Sequence, residues 1–180
     1  SGANIFDAAA MLNDMRNESY ALFRAAVDDI KIIRREYITV CATSFGKDST
    51  VTLLAALNAH IELMEEGVLT SEDPFVASHI DTGVESHLML MLCSQEIKAL
   101  KQYCKQKNIN LDMRVGYPPL QKQWSSLFVS GQKLVSSARS NSDCAQLLKV
   151  DNAAALEKSI EHTYKGLVVT LLGSRISESI

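Results

Sequence analysis

The segment Ser44-Phe45-Gly46-Lys47-Asp48-Ser49-Thr50 holds three hydroxyls, a lysine, a carboxylate and a glycine within seven residues. Before it lies Tyr37-Ile38-Thr39-Val40-Cys41-Ala42, a β-branched run that predicts a buried strand. After it, Leu54, Leu57, Ile61 and Met64 recur at helical spacing up to about Glu66, and Gly67 is expected to end the helix. A strand entering a helix N-terminus presents unpaired amides and the positive end of the helix dipole, which together suit a phosphate. Gly46 would let the backbone approach closely. Ser44, Ser49 and Thr50 would donate hydroxyls, and Lys47 would add a point charge. Asp48 cannot favour a bare anion, so its expected role is to hold a Mg²⁺ that bridges phosphates. The Walker A spacing GxxxxGK(S/T) is absent. The plainer reading of the same residues is a tight turn with the helix capped by Asp48 or Ser49.

Two more polar clusters close apolar runs. Asp81-Thr82-Gly83-Val84-Glu85 follows Phe75 to Ile80, and Gly173-Ser174-Arg175 follows Gly166 to Leu172. The first could equally be an Asx turn before a helix. In the second, Arg175 places a charge at a buried strand end, where function is the commoner reason. Arg139, Cys144 and Lys149 lie in and after a Ser-rich stretch, residues 136–142. An arginine with a lysine suits an anionic substrate. The alternative is a surface loop with Cys144 as a small core residue.

The elements that must position these clusters alternate along the chain. Ile5 to Ile30 carries apolar residues at helical spacing and predicts an N-terminal helix, broken once, with Arg34, Arg35 and Glu36 as a solvated end. Leu88, Leu92, Ile97, Leu100 and Cys104 mark a further helix, Leu111 to Val115 a third strand. Ala153, Leu156, Ile160 and Tyr164 mark another helix, with Asp151 as N-cap. Alternating short strands and helices predict a single α/β domain, a three-layer α/β/α sandwich around a mainly parallel sheet. Ligands of such sheets bind beyond the carboxyl ends of the strands, where strand order reverses. Three polar clusters at three strand ends are therefore expected to converge on one crevice.

With 180 residues and 47% apolar side chains, one core can form without metal or disulfide staples. A net charge of -3 supplies no global attraction to DNA or anionic lipid. No run reaches the roughly 20 apolar residues of a membrane span, and the start has no signal-peptide pattern. Cys41, Cys93, Cys104 and Cys144 form no CxxC pair, which fits reduced thiols in a cytoplasmic protein. His60 and His162 are expected to be solvated or packing residues, and Trp124 a packing anchor.

The loop SFGKDST resembles the PP-loop signature SGGxDS(S/T) of N-type ATP pyrophosphatases, with Phe45 where that pattern has glycine. The Asp81-Thr82-Gly83 segment is similar to one beside the nucleotide in the phosphoadenylyl-sulfate reductase branch. Arg139, Cys144 and Leu148-Lys149 loosely resemble an RxCxxxLK segment there, and Gly173-Ser174-Arg175 with Glu178-Ser179 a GxRxxES motif. These segments span residues 37–179 in order. The whole looks closest to the DNA phosphorothioation proteins of the DndC and SspD type.

That resemblance implies an adenine nucleotide alpha-hydrolase-like fold and cleavage of ATP, with Mg²⁺, between the α and β phosphates. It implies a DNA backbone phosphate activated by adenylylation. Sulfur would then come from a cysteine desulfurase, alongside other phosphorothioation proteins and with no membrane involved. Lys47, Ser49 and Arg175 would stabilise the phosphorus centre, Arg175 contacting the α-phosphate, and Asp48 would bind the metal. Cys144 would be a sulfur relay or an iron–sulfur ligand. A full iron–sulfur cluster is not expected, because Cys41 falls in a strand and Cys93 and Cys104 on the apolar face of a helix. Related proteins continue past the last motif, so a further C-terminal part is expected. The alternatives are a sulfonucleotide reductase, the small subunit of a sulfate adenylyltransferase, and a non-catalytic nucleotide-binding scaffold.

Overall fold

The computed structural model describes residues 5–133, 146–165 and 168–174. Helix α1 (Ile5–Glu36) leads into strand β1 (Ile38–Ala42), helix α2 (Lys47–Glu65) and strand β2 (Pro74–Ile80). Helix α3 (His87–Gln106) and strand β3 (Asn110–Gly116) follow. After three single helical turns among the described residues come helix α4 (Asp151–Tyr164) and strand β4 (Val168–Leu172). All four strands are parallel, in the order β3-β2-β1-β4. The chain steps outward from β1 to β2 to β3, then returns to place β4 on the other side of β1. The order therefore reverses between β1 and β4, and a crevice opens beyond their carboxyl ends.

Strand alternation divides the side chains between two faces. On the first, Cys41, Phe75 and Ala77 join Val27 and Ile30 of α1, the buried alanines and leucines of α2, and Cys93, Leu100 and Cys104 of α3. On the second, Val40 and Val76 pack with Ile160, Leu156 and Tyr164 of α4. The predicted three-layer α/β/α fold with a parallel sheet is thus present. Among the described residues no helix is long and apolar enough to cross a membrane.

Three local expectations are corrected. Helix α1 is unbroken over its 32 residues. Its end is not a solvated tail: Arg34 is buried and donates from Nη1 to the Tyr37 carbonyl at 3.3 Å and from Nη2 to the Pro74 carbonyl at 3.1 Å. Arg24, Lys31 and Arg35 clamp Glu62 and Glu66 of α2. The Arg24 guanidinium, then the Lys31 ammonium, pull the Glu62 carboxyl down to about 2. A break in α1 would have scattered this row.

The third concerns Asp151, which does not cap α4. The preceding residue, Val150, already has helical torsions because a helical turn, Gln146–Val150, feeds straight into the helix. An N-cap needs an extended residue. Asp151 instead accepts from Lys122 Nζ at 3.1 Å and Gln146 Nε2 at 3.0 Å. Gly67 does follow the end of α2, with φ +73.

Candidate functional site

Helix α2 starts on Gly46 in an extended conformation, with no side-chain cap. Neither Asp48 nor Ser49 performs the capping that the plainer reading assigned them. Ser49 is buried, and its hydroxyl folds back into the turn. It accepts from the Ser44 amide at 3.2 Å, donates to the Gly46 carbonyl at 3.1 Å and lies 3.1 Å from the Ser44 hydroxyl. Thr43 Oγ1 accepts from the Phe45 amide at 3.0 Å. The loop is thereby tied by its own hydroxyls, which leaves the opening of α2 facing the crevice.

Phe45 has φ +57, in the left-handed region that costs a residue with a side chain on the order of 1–2 kcal/mol. Burial offsets this cost: the ring turns into the core and meets His79 at 5.5 Å. The Thr43 carbonyl can only accept, so His79 Nδ1, 2.8 Å away, donates to it. One buried histidine thus supports both sides of the turn, and the Phe45 ring is kept out of the mouth.

Gly173 joins the third cluster to the first. A Cβ there would lie 2.7 Å from the backbone carbon and oxygen of Asp48 and 2.8 Å from the Ser49 Cα. Strand β4 therefore meets the first turn of α2 backbone to backbone, which only glycine permits. The second cluster reaches the crevice less fully. Asp81 Oδ1 accepts from the Gly83 amide at 2.8 Å, an Asx turn, while Thr82 is buried and donates to Glu85 Oε1 at 3.1 Å. Ser86, rather than Asp81, caps α3.

A cleft of about 620 Å³ opens between these strand ends and α4. Of the residues singled out in the sequence, Ser44, Gly46, Ser49, Glu85, Lys149 and Gly173 line it. Phe45, Lys47, Asp48, Thr50, Asp81, Thr82 and Gly83 do not, though Lys47 to Thr50 form the adjoining first turn of α2. Arg139, Cys144 and Arg175 lie outside the described residues. Among the described residues no group of three or more His, Cys, Asp or Glu side chains could hold a metal.

Several lining residues went unremarked in the sequence. Ser78, Ile80 and Thr170 occupy second-face positions in their strands, and Glu157 comes from α4. Strand alternation could have found the first three. Glu157 needs the tertiary pairing of α4 with β4. Cys93 also lines the cleft, with its sulfur 4.0 Å from the Ser44 carbonyl. Burial first, then the nearby Glu85 carboxylate, raises its thiol pKa and keeps it protonated.

In chemical terms the mouth offers amides, hydroxyls and the exposed Lys149, suited to an anion, beside the Glu85 carboxylate that Thr82 engages, over apolar walls from Met89, Ala153 and Leu156. The chain matches no protein-family model, no curated protein and no solved structure.

Proposed function

We propose that this chain binds ATP with its phosphates at the amino end of α2 and cleaves it between the α and β phosphates. The adenylyl group would be transferred to a DNA backbone phosphate, activating it for later replacement of oxygen by sulfur. The observation that carries this reading is the uncapped start of α2, pressed against Gly173 at the point where strand order reverses. The resemblance of SFGKDST to the PP-loop signature supplies the reaction class. Phe45 keeps the left-handed torsion that a glycine would adopt freely, so its side chain does not oppose the reading.

The residues would act by position and charge rather than as nucleophiles. The amides opening α2 and the Ser44 hydroxyl would receive the pyrophosphate leaving group. Lys47, exposed on the first turn, would swing onto its oxygens. A DNA phosphate oxygen would attack the α-phosphorus as pyrophosphate departs. Mg²⁺ would enter with the nucleotide, most of its ligands being phosphate oxygens and water, with Asp48 the protein carboxylate beside it. A cysteine desulfurase would supply the sulfur.

The test is pyrophosphate release from ATP with transfer of the adenylyl group to DNA, in the presence of Mg²⁺, by the wild type and Asp48→Ala. Turnover that falls at least 100-fold in the variant, with its fold intact by circular dichroism, supports the proposal. Sulfite release from a sulfonucleotide, sulfate-dependent pyrophosphate release, or tight ATP binding without turnover would each replace it with one of the alternatives.

A further inference from the structure

The cleft has a direction. Helix α4 runs antiparallel to the strands, so Lys149 and Val150 stand at the mouth while Glu157 lies two helical turns down, roughly 12 Å below. Strand register fixes the same depth independently. Leu172 pairs with Ala42 at the carboxyl edge of the sheet, and Thr170 pairs with Val40, two residues and about 7 Å lower. Thr170 Oγ1 donates to Glu157 Oε1 across this floor. Buried Ile160 lies beneath, and Leu156 flanks the carboxylate. Among the described residues Glu157 has no ion-pair partner, and Thr170 is its one hydrogen-bond donor.

A carboxylate on the floor repels phosphate and accepts only from donors. At the mouth Lys149 and the amides opening α2 attract an anion, and the Glu85 carboxylate there is engaged by Thr82. A ligand spanning both must carry its anion upward and a hydrogen-bond donor downward. This inference rests on the nucleotide reading of the cleft. We infer that Glu157, oriented by Thr170, is a specificity-determining residue whose second carboxylate oxygen accepts from a donor on the nucleoside: a ribose hydroxyl or the 6-amino group of the purine. The Thr170 hydroxyl holds one oxygen and so presents the other to the cavity. A site built this way disfavours an analogue lacking the donor, because the half-buried carboxylate then gives up water without gaining that partner.

Calorimetric titration of the full chain tests this with ATP, 2′-deoxy-ATP, 3′-deoxy-ATP, purine riboside triphosphate and inorganic tripolyphosphate, on wild type and Glu157→Gln. The variant is expected to bind ATP about 10- to 100-fold more weakly, the span of a hydrogen bond to a charged group. It should bind tripolyphosphate as well as the wild type or slightly better, because a negative charge has gone. The wild type should discriminate against the one analogue that lacks the recognised donor, and the variant should not. Thr170→Val should move ATP affinity in the same direction by a smaller factor.

Unchanged ATP affinity in Glu157→Gln overturns the inference. So does parallel loss of ATP and tripolyphosphate, or equal discrimination by variant and wild type. In the first and third cases the nucleotide reading survives. If wild type binds neither ATP nor tripolyphosphate, both fall together.

Discussion

On one face of the sheet Cys41, Phe75 and Ala77 disappear beneath α1, α2 and α3. On the other, Val40 and Val76 share helix α4 with Ser78, Ile80 and Thr170, which line an open cleft among the described residues. Both faces belong to the same strands, and the residues differ only by alternation. The first face is closed chiefly by apolar packing, with solvent-screened ion pairs joining α1 to α2 as a minor addition. The second keeps the hydroxyls of Ser78 and Thr170 and the Glu157 carboxylate along a cleft that the described residues leave open. Under the proposed function, stability and binding would be carried by opposite sides of one sheet.

Truncating the first face should separate the two most sharply. Phe75→Ala removes a nearly fully buried ring and should cost about 3–5 kcal/mol in urea unfolding. Nucleotide affinity measured below the unfolding transition should stay within about two-fold. A large affinity loss would mean that the faces are coupled.

His60 gives the next largest effect. It is 1% exposed, packs edge-on against Phe75, and neither ring nitrogen has a hydrogen-bond partner among the described residues. Burial first, then the Arg34 charge, pushes its pKa down to about 4 from 6.5. The unfolded chain therefore binds the proton more readily. Stability is complete above pH 6.5 and falls as pH drops from 6.5 towards 4, by on the order of 2–3 kcal/mol. His60→Leu should flatten this limb and leave the protein at least as stable at pH 7.5, as chemical denaturation at several pH values would read. An unchanged acid limb would show that His60 is charged or solvated when folded.

Gly173→Ala tests the seam between the faces. Its new methyl must displace backbone at Asp48 or Ser49, an overpacking cost of about 1–3 kcal/mol. Unlike Phe75→Ala, it should weaken tripolyphosphate binding at least ten-fold, by calorimetry, for a smaller loss of stability. Equal affinity would detach the α2 start from the site.

Strand alternation and helix periodicity made the layers legible, and the polar strand ends pointed to the crevice. Much of the site was not legible from the chain order. Which loop residues face the cleft depends on the torsion at Phe45, and a phenylalanine does not advertise a left-handed conformation. The floor depends on Glu157 meeting Thr170, a contact between helix and strand that no local spacing encodes. Arg34 looked like a solvated end because its acceptors, Tyr37 and Pro74, are backbone carbonyls, which leave no trace in residue type.

Phe45 also sets an unusual rule for substitution. Its backbone angle admits glycine at no steric cost and asparagine at little, whereas β-branched side chains are barred from it. The ring is held because it is large enough to reach His79. The position therefore tolerates the extremes of side-chain size while refusing valine or isoleucine between them, so a lineage could exchange its smallest residue for a bulky aromatic without altering the path of the main chain.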